Sequence, residues 1–367
     1  MSTKVDRNSK SFIIYTEIKR NIASGQYKEG SQLPTEAELT KVWGVSRPTA
    51  SKALNALEAE GLVVRSPGSG SYVAQSRQET MRGLLGLIVP ALGTNEIFEP
   101  ICARLASLSD AHGYSLLWGG SLQEGSRRGS EIERLARHYV DSGVAGVYFA
   151  PIESCPEYAA INKNAISILE TAKVPLVLLD SDYLAFPERS AFDLVGIDHL
   201  RAGYEATAHL LSHGTRRVDF IKSPDSGAAV ALRVRGYREA LLDAGIAPRQ
   251  EWVHEGNPDA HHFIQALLAI PDLSDIVCQN DEMAAALMKA LEAFQVAIPD
   301  RLRLVGFDDV KYARHLRVPL TTIRQPCEEI AACAVELMVA RIGDPLLPVK
   351  SLYLKSHLVE RASSGSA

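Results

Sequence analysis

Arg47, Lys52 and the hydroxyls of Ser46, Thr49 and Ser51 crowd the start of one short helical pattern, and Thr35 opens the pattern before it. A guanidinium can pair with a base edge through two parallel N–H donors, while hydroxyls and free amides at a helix N-terminus suit phosphate oxygens. The chemistry implied is contact with double-stranded DNA. A second set lies further along: Asp180, Asn280, Asp308 and Gln325 each follow a short apolar run, and Arg233 falls early in a helical pattern. Carboxylates, amides and a guanidinium together match a ligand rich in hydroxyls, because each hydroxyl both donates and accepts. Taken singly, an Asp or Asn at such a point equally well caps the next helix; the collection is what favours a ligand site.

The elements that position the first set are readable. Thr35 and Glu38 have the T-x-x-E spacing of a capping box, so a helix should start after Thr35. Trp43-Gly44-Val45 is a turn, with Gly44 free to adopt a left-handed conformation. Ser46 is placed to cap the next helix, and Pro48 sits in its first turn, where a missing N–H costs little. Ala50, Ala53, Leu54 and Leu57 share one face; Ser51, Lys52 and Asn55 fall largely opposite. Gly61 ends that helix, and 62–65 and 71–73 read as strands around Ser66-Pro67-Gly68-Ser69-Gly70. An earlier stripe of Phe12, Tyr15, Ile18 and Ile22 predicts a helix over 11–23. The order is a winged helix-turn-helix. Any one signal would equally suit a small helical subdomain that binds nothing; the ordered set does not.

Residues 12–74 resemble the GntR-type winged-helix domain. The matching pieces are Tyr15-x-x-Ile18, Gly25, Gly30, Leu33-Pro34-Thr35-Glu36, Val45-Ser46-Arg47, Ala53-Leu54, Glu60-Gly61-Leu62 and Gly68-x-Gly70. The resemblance implies that Arg47 reads a base in the major groove, that Ser46 and Thr49 hold phosphates, and that the Gly68–Gly70 wing tip enters the minor groove. Two cations common in the family are absent: Ala37 follows the Leu-Pro-Thr-Glu motif, and Ser51 stands four residues after Arg47. Lys52 and Lys41 are the nearest substitutes.

The 367 residues are enough for two or three domains. The net charge is −5, but residues 1–75 carry ten Lys/Arg against seven Asp/Glu and the remainder 29 against 37. A mildly basic head on an acidic body fits local, directed DNA contact and argues against a general nucleic-acid coat. Cys102, Cys155, Cys278, Cys327 and Cys333 are scattered, with no C-x-x-C pair and no metal-ligand spacing, which reads as reduced intracellular thiols. The N-terminus lacks an apolar signal region and no run approaches a membrane span. A cytoplasmic protein is expected, without cofactor or bound metal.

From residue 84 short apolar runs, at 84–90, 115–118, 146–150, 176–180, 194–198, 218–222, 276–279 and 302–307, alternate with helical patterns. Alternation of this kind predicts an α/β body with parallel sheets covered by helices on both faces, and its length predicts two lobes. Ligands bind such sheets beyond the carboxyl ends of the strands. Expected boundaries are a head over 1–75, a linker over 76–83 and a body over 84–361. One lobe takes about 84–195 and 326–352, the other about 196–325 and 353–361.

Residues 84 to about 361 resemble the periplasmic-binding-protein-like effector domain of LacI-type regulators. The resemblance rests on Leu85-Gly86-Leu87-Ile88-Val89-Pro90, Val195-Gly196-Ile197-Asp198, Gly214-x-x-Arg217-Val218, Arg233-x-x-Gly236-Tyr237, Asn280-Asp281-Glu282-Met283-Ala284, Val305-Gly306-Phe307-Asp308-Asp309 and Leu320-Thr321-Thr322-Ile323-x-Gln325. It implies that Arg233, Asn280, Asp308 and Gln325 line an effector cleft, with Asp180 as a further contact and Phe98 as an aromatic packing on a sugar ring. A GntR-type head on a LacI-type body resembles the AraR-like arabinose regulators. No catalytic constellation appears: Gly68-Ser69-Gly70 lacks the setting of a nucleophile elbow, and the adjacent Asp308 and Asp309 diverge. The expectation is a DNA-binding transcriptional repressor, a homodimer on operator DNA, controlled by a small carbohydrate, with a monosaccharide first. An activator, or a sensor of a nucleoside or other metabolite, stays open. A solute-binding protein or an enzyme is disfavoured by the DNA-binding head and by the lack of a candidate Schiff-base lysine.

Overall fold

The computed structural model describes residues 9–28, 30–66, 69–73, 83–89, 97–119, 128–153 and 157–365. Gly68, Cys155 and nearly all of the expected linker lie outside them. The chain divides into two units, Met1–Met81 and Arg82–Ala367.

In the first unit, α1 (Lys10–Ala23) starts at Ser9, whose hydroxyl accepts from the Phe12 amide. Helix α2 (Glu36–Trp43) opens on a complete capping box: Thr35 Oγ1 accepts from the Glu38 amide at 3.3 Å and Glu38 Oε2 from the Thr35 amide at 2.7 Å. Gly44 ends it in the left-handed conformation at φ 58°. Helix α3 (Arg47–Ala59) follows at once and buries Ala50, Ala53, Leu54 and Leu57. Those side chains meet Ile14, Ile18, Leu33 and Leu39 in one core, closed below by Val63 and Val73. The two valines are cross-strand partners in the antiparallel pair β1 (Val63–Ser66) and β2 (Gly70–Val73). This is a winged helix-turn-helix.

The second unit holds two six-stranded sheets. The first runs β13 (Ser351–Leu354), β7 (Asp193–Ile197), β6 (Leu176–Leu179), β5 (Gly146–Phe149), β3 (Gly83–Ile88), β4 (Tyr114–Trp118), all parallel. Helices α4 (Phe98–Ala111), α5 (Arg128–Asp141), α6 (Tyr158–Thr171) and α11 (Cys327–Gly343) go with it. The second runs β14 (His357–Val359), β12 (Thr321–Arg324), β11 (Arg303–Asp308), β10 (Asp275–Cys278), β8 (Asp219–Lys222), β9 (Val253–Glu255), and only β14 is antiparallel. Its helices are α7 (His199–Leu211), α8 (Ala228–Asp243), α9 (His261–Leu268) and α10 (Asp281–Ala293). Every residue of β5, β6, β7 and β10 is buried, as expected of central strands covered on both faces.

The chain passes between the sheets three times: after β7, after β12, and between β13 and β14. The expected boundary near residue 195 falls inside β7. That strand pairs with β13 as far as Ile197, so the first crossing follows Ile197. Helices α7 and α8 touch through their backbones. A Cβ on Gly236 would stand 1.8 Å from the Leu200 carbonyl oxygen, and one on Gly203 would stand 2.1 Å from the Arg233 carbonyl oxygen. The two glycines therefore fix where Arg233 can be.

Candidate DNA-reading face and effector site

Arg47, the first residue of α3, has a side chain 80% exposed, and its Nε donates to Glu36 Oε2 at 3.0 Å. Glu36 also receives Arg65, which reaches back from β1 and donates to Asn55 and, at 3.4 Å, to Ser51. Hydrogen bonds from Arg47 and then Ser51 hold the Glu36 carboxyl below its ordinary range. Ser46 has the backbone of an N-cap, but its hydroxyl makes no capping bond; it pairs instead with Thr49 Oγ1 at 2.8 Å. The Thr49 and Ala50 amides donate instead to the Ser46 carbonyl, at 2.9 and 3.2 Å. Lys52 and Thr35 are exposed and Ser51 half-buried. Gly70 begins β2 at φ 122°, and a Cβ there would strike Gln32 Nε2 at 2.6 Å. That amide donates to the Ser69 carbonyl at 3.1 Å, which ties the wing to the segment before α2.

Arg65 was missed in the sequence reading. It sits on the face that an Arg at position 51 would cover, and the short Ser51 side chain leaves room for it. The signal was a lone Arg in an otherwise apolar strand, Val63-Val64-Arg65.

In the second unit the carboxyl ends of both sheets contribute. Arg233 is 5% exposed on α8. Its Nη1 donates to the Gln279 carbonyl at 2.6 Å, its Nη2 stands 3.7 Å from Asp308 Oδ1, and its guanidinium lies 4.5 Å from the Phe307 ring centroid. Gln325 Nε2 donates to Asp308 Oδ1 at 2.8 Å. Asp180, at the end of β6, belongs to the other sheet. His199 Nε2 lies 3.1 Å from its carbonyl oxygen and 3.3 Å from its Oδ1, and His199 Nδ1 faces Arg233 Nε at 3.4 Å. His199 thus couples Asp180 to Arg233. Asp180 and Asp308 have positive φ, 70° and 108°. Backbone strain at a non-glycine residue is typically held where a side chain must be aimed.

Electrostatics separates these acids. Burial would raise the Asp180 carboxyl, but His199 and Arg233 outweigh it and leave it below the usual carboxylate range. Burial pushes Asp308 up against the opposing pull of Arg233 and Gln325. Burial and then Asp180 push up Glu153, on the loop after β5. Two buried oxygens, Asp180 Oδ1 and Gln325 Oε1, make no well-formed hydrogen bond. Acceptors left this way cost about 1–3 kcal/mol each unless a ligand or water donates to them.

Among the described residues no hydrogen bond or ion pair joins the side chains of Asn280 and Phe98 to this cluster. Asn280 caps α10, its Oδ1 accepting from the Met283 amide at 2.9 Å; Asp198 caps α7 likewise, from the Arg201 amide at 3.0 Å. Phe98 is the first residue of α4 and is buried in the apolar core. His199 and Glu153 are additions. His199 carried a faint signal, as the residue after a strand-end Asp; Glu153 carried none beyond following an apolar run.

Residues 12–73 match the family described as bacterial regulatory proteins, gntR family, and residues 207–364 match the periplasmic binding protein-like domain. The chain is a transcriptional regulator with a gntR-family DNA-binding head and a periplasmic-binding-protein-like body. It is similar to the arabinose metabolism transcriptional repressor of Geobacillus stearothermophilus, 27% identical over 337 residues that cover 89% of each chain. It is also similar to the HTH-type transcriptional regulator GalR of Escherichia coli (strain K12), 28% identical over 348 residues, covering 90% of this chain and 96% of that one. The solved transcriptional regulator CelR–cellobiose complex shares the fold, with a TM-score of 0.66 at 24% identity, covering 90% of this chain and all of that one.

Proposed function

We propose that the chain is a cytoplasmic, homodimeric repressor whose grip on operator DNA is set by a small carbohydrate, a monosaccharide, bound between the two lobes of the body. The observation that carries the reading is the convergence of Arg233, Asp308 and Gln325 with Asp180 from the opposite sheet, together with the unpaired Gln325 Oε1. Neutral hydroxyls can donate to those acceptors and accept from Arg233. One named relative, the arabinose metabolism transcriptional repressor, points toward a sugar effector.

Lobe contacts give the effector something to act on. Lys311, beyond β11, reaches Glu99 on α4 at 2.9 Å, and Arg235 of α8 lies 4.3 Å from the ring centroid of Phe186, after β6. A ligand that bridges the same lobes favours their closure only to the extent that it binds the closed arrangement better, and by linkage that difference appears in the operator affinity of the head. A two-fold pair of heads suits a palindromic operator. No member of the arrangement is assigned a catalytic task.

The test is operator titration of the full chain with and without pentoses, hexoses and nucleosides. A shift in operator affinity with one monosaccharide is the expected result. Affinity unmoved by every sugar, or moved by nucleosides alone, would sink the carbohydrate reading.

A further inference from the structure

Glu153 leaves the first lobe on the loop after β5, yet its carboxylate is seated on the second. Glu153 Oε1 accepts from the Ala229 amide at 3.1 Å, and Ser181 Oγ lies 3.5 Å away. Ala229 is the second residue of α8, a helix of 16 residues whose N-cap, Gly227, has no side chain to satisfy the first turn. A Cβ on Gly227 would come within 2.4 Å of Glu153 Cγ and 2.5 Å of its Oε1. The missing side chain at 227 is the space that Glu153 fills. Lys222 stands 3.3 Å from Ser226 Oγ and is paired with Glu255 at 2.8 Å.

A helix N-terminus combines free amide donors with the positive end of the helix dipole, which makes it a ready seat for phosphate or carboxylate. In this body the seat lies about one turn before Arg233 on the same helix, and the effector cluster that includes Arg233 also holds Gln325, 4% exposed, with its Oε1 unpaired. An effector carrying a phosphate ester or an acid group would be drawn to that seat. The chain has already placed its own acid there, near enough to Asp180 to be pushed up by it.

We propose that Glu153 is the charge-selecting residue of the effector site: its carboxyl group occupies the α8 N-terminus, so that the site takes an uncharged, hydroxyl-rich effector and rejects sugar phosphates and sugar acids. This rests on the effector reading above and narrows it. Glu153 is a specificity residue by exclusion, and Gly227 is its counterpart on the other lobe.

Inorganic phosphate is the probe, compared with chloride at matched ionic strength in thermal unfolding of the full chain. Wild-type protein is expected to gain nothing from phosphate. Glu153→Ala, which opens the seat, is expected to be stabilised by it, and Glu153→Gln, which keeps the shape and removes the charge, to fall between. In parallel, the preference for a neutral monosaccharide over its phosphate ester should drop at least tenfold in Glu153→Ala. Phosphate binding by wild type, or its absence in Glu153→Ala with unchanged sugar preference, overturns the assignment. Wild-type operator affinity that ignores every neutral sugar would instead remove the carbohydrate reading, whatever the phosphate arm shows.

Discussion

Two arginines define the two ends of this regulator, and they are held in opposite ways. Arg47 is 80% exposed with one carboxylate partner, Glu36; Arg233 is 5% exposed among His199, the Gln279 carbonyl and Asp308. An exposed pair is worth little and can be exchanged, so Arg47 can leave Glu36 for a base edge at small cost. A buried guanidinium cannot be left unpaired, so Arg233 behaves as fixed frame around which a ligand must fit. The acids follow the same division. In the head Glu36, Glu38 and Glu60 all lie below their ordinary range, through Arg47, the Thr35 amide and Lys19 respectively. In the body burial drives Glu153, Asp281 and Asp308 up, while at Asp180 His199 and Arg233 outweigh burial and hold the carboxyl down.

The largest effect that could break this contrast is Arg233→Ala. It should remove about 3–5 kcal/mol of body stability, because Asp308 loses its buried counter-charge, and should abolish the effector response; urea unfolding and operator titration measure the two. A variant as stable as wild type that still answers the effector would show that Arg233 is no frame. Next is Arg47→Ala, expected to weaken specific operator binding by about 1–3 kcal/mol and relax base preference while leaving unfolding unchanged. Discrimination unaltered across a series of operator variants would take base reading away from Arg47.

The smallest effect is on pH, and its sign differs between Asp281 of the body and the acids of the head. Burial, and then Asp308, hold the Asp281 carboxyl well above its ordinary value. Stability from this group is therefore complete below the unfolded value and is lost as pH rises through the folded one, with a slope of up to about 1.4 kcal/mol per pH unit. Asp281→Asn, which keeps an acceptor for Thr322 Oγ1 (2.6 Å in wild type), should flatten the slope in urea unfolding at stepped pH. The head acids contribute the reverse: their share is present above the unfolded value and is lost as pH falls. Being exposed, they should move head unfolding only slightly. Equal slopes in both units would erase the distinction.

How much could be read beforehand also follows exposure. The capping box at Thr35 and Glu38, the turn at Gly44 and the apolar face of α3 are local patterns, and local patterns survive in a linear chain. The alternation of β and α segments predicted parallel sheets for the same reason. Strand-end polar residues were ambiguous, since Asn280 and Asp180 look alike in sequence. One caps its helix while the other joins a cluster, and only the path of the backbone decides. Glu153 was invisible and His199 only faintly marked, because their roles depend on partners 76 and 34 residues further on. Arg65 likewise needed β1 folded against α3.

The order in which the body can be completed follows from β13. Synthesis delivers β3 to β7 early, but the neighbour of β7 on the sheet edge arrives only at residues 351–354, after the whole of the other sheet except β14. Until then β7 offers a bare hydrogen-bonding rim, of the kind on which nascent chains mispair. The lobe that leaves the ribosome first thus waits for nearly the whole chain before its edge is closed, and a chain truncated anywhere before residue 351 would keep that rim open.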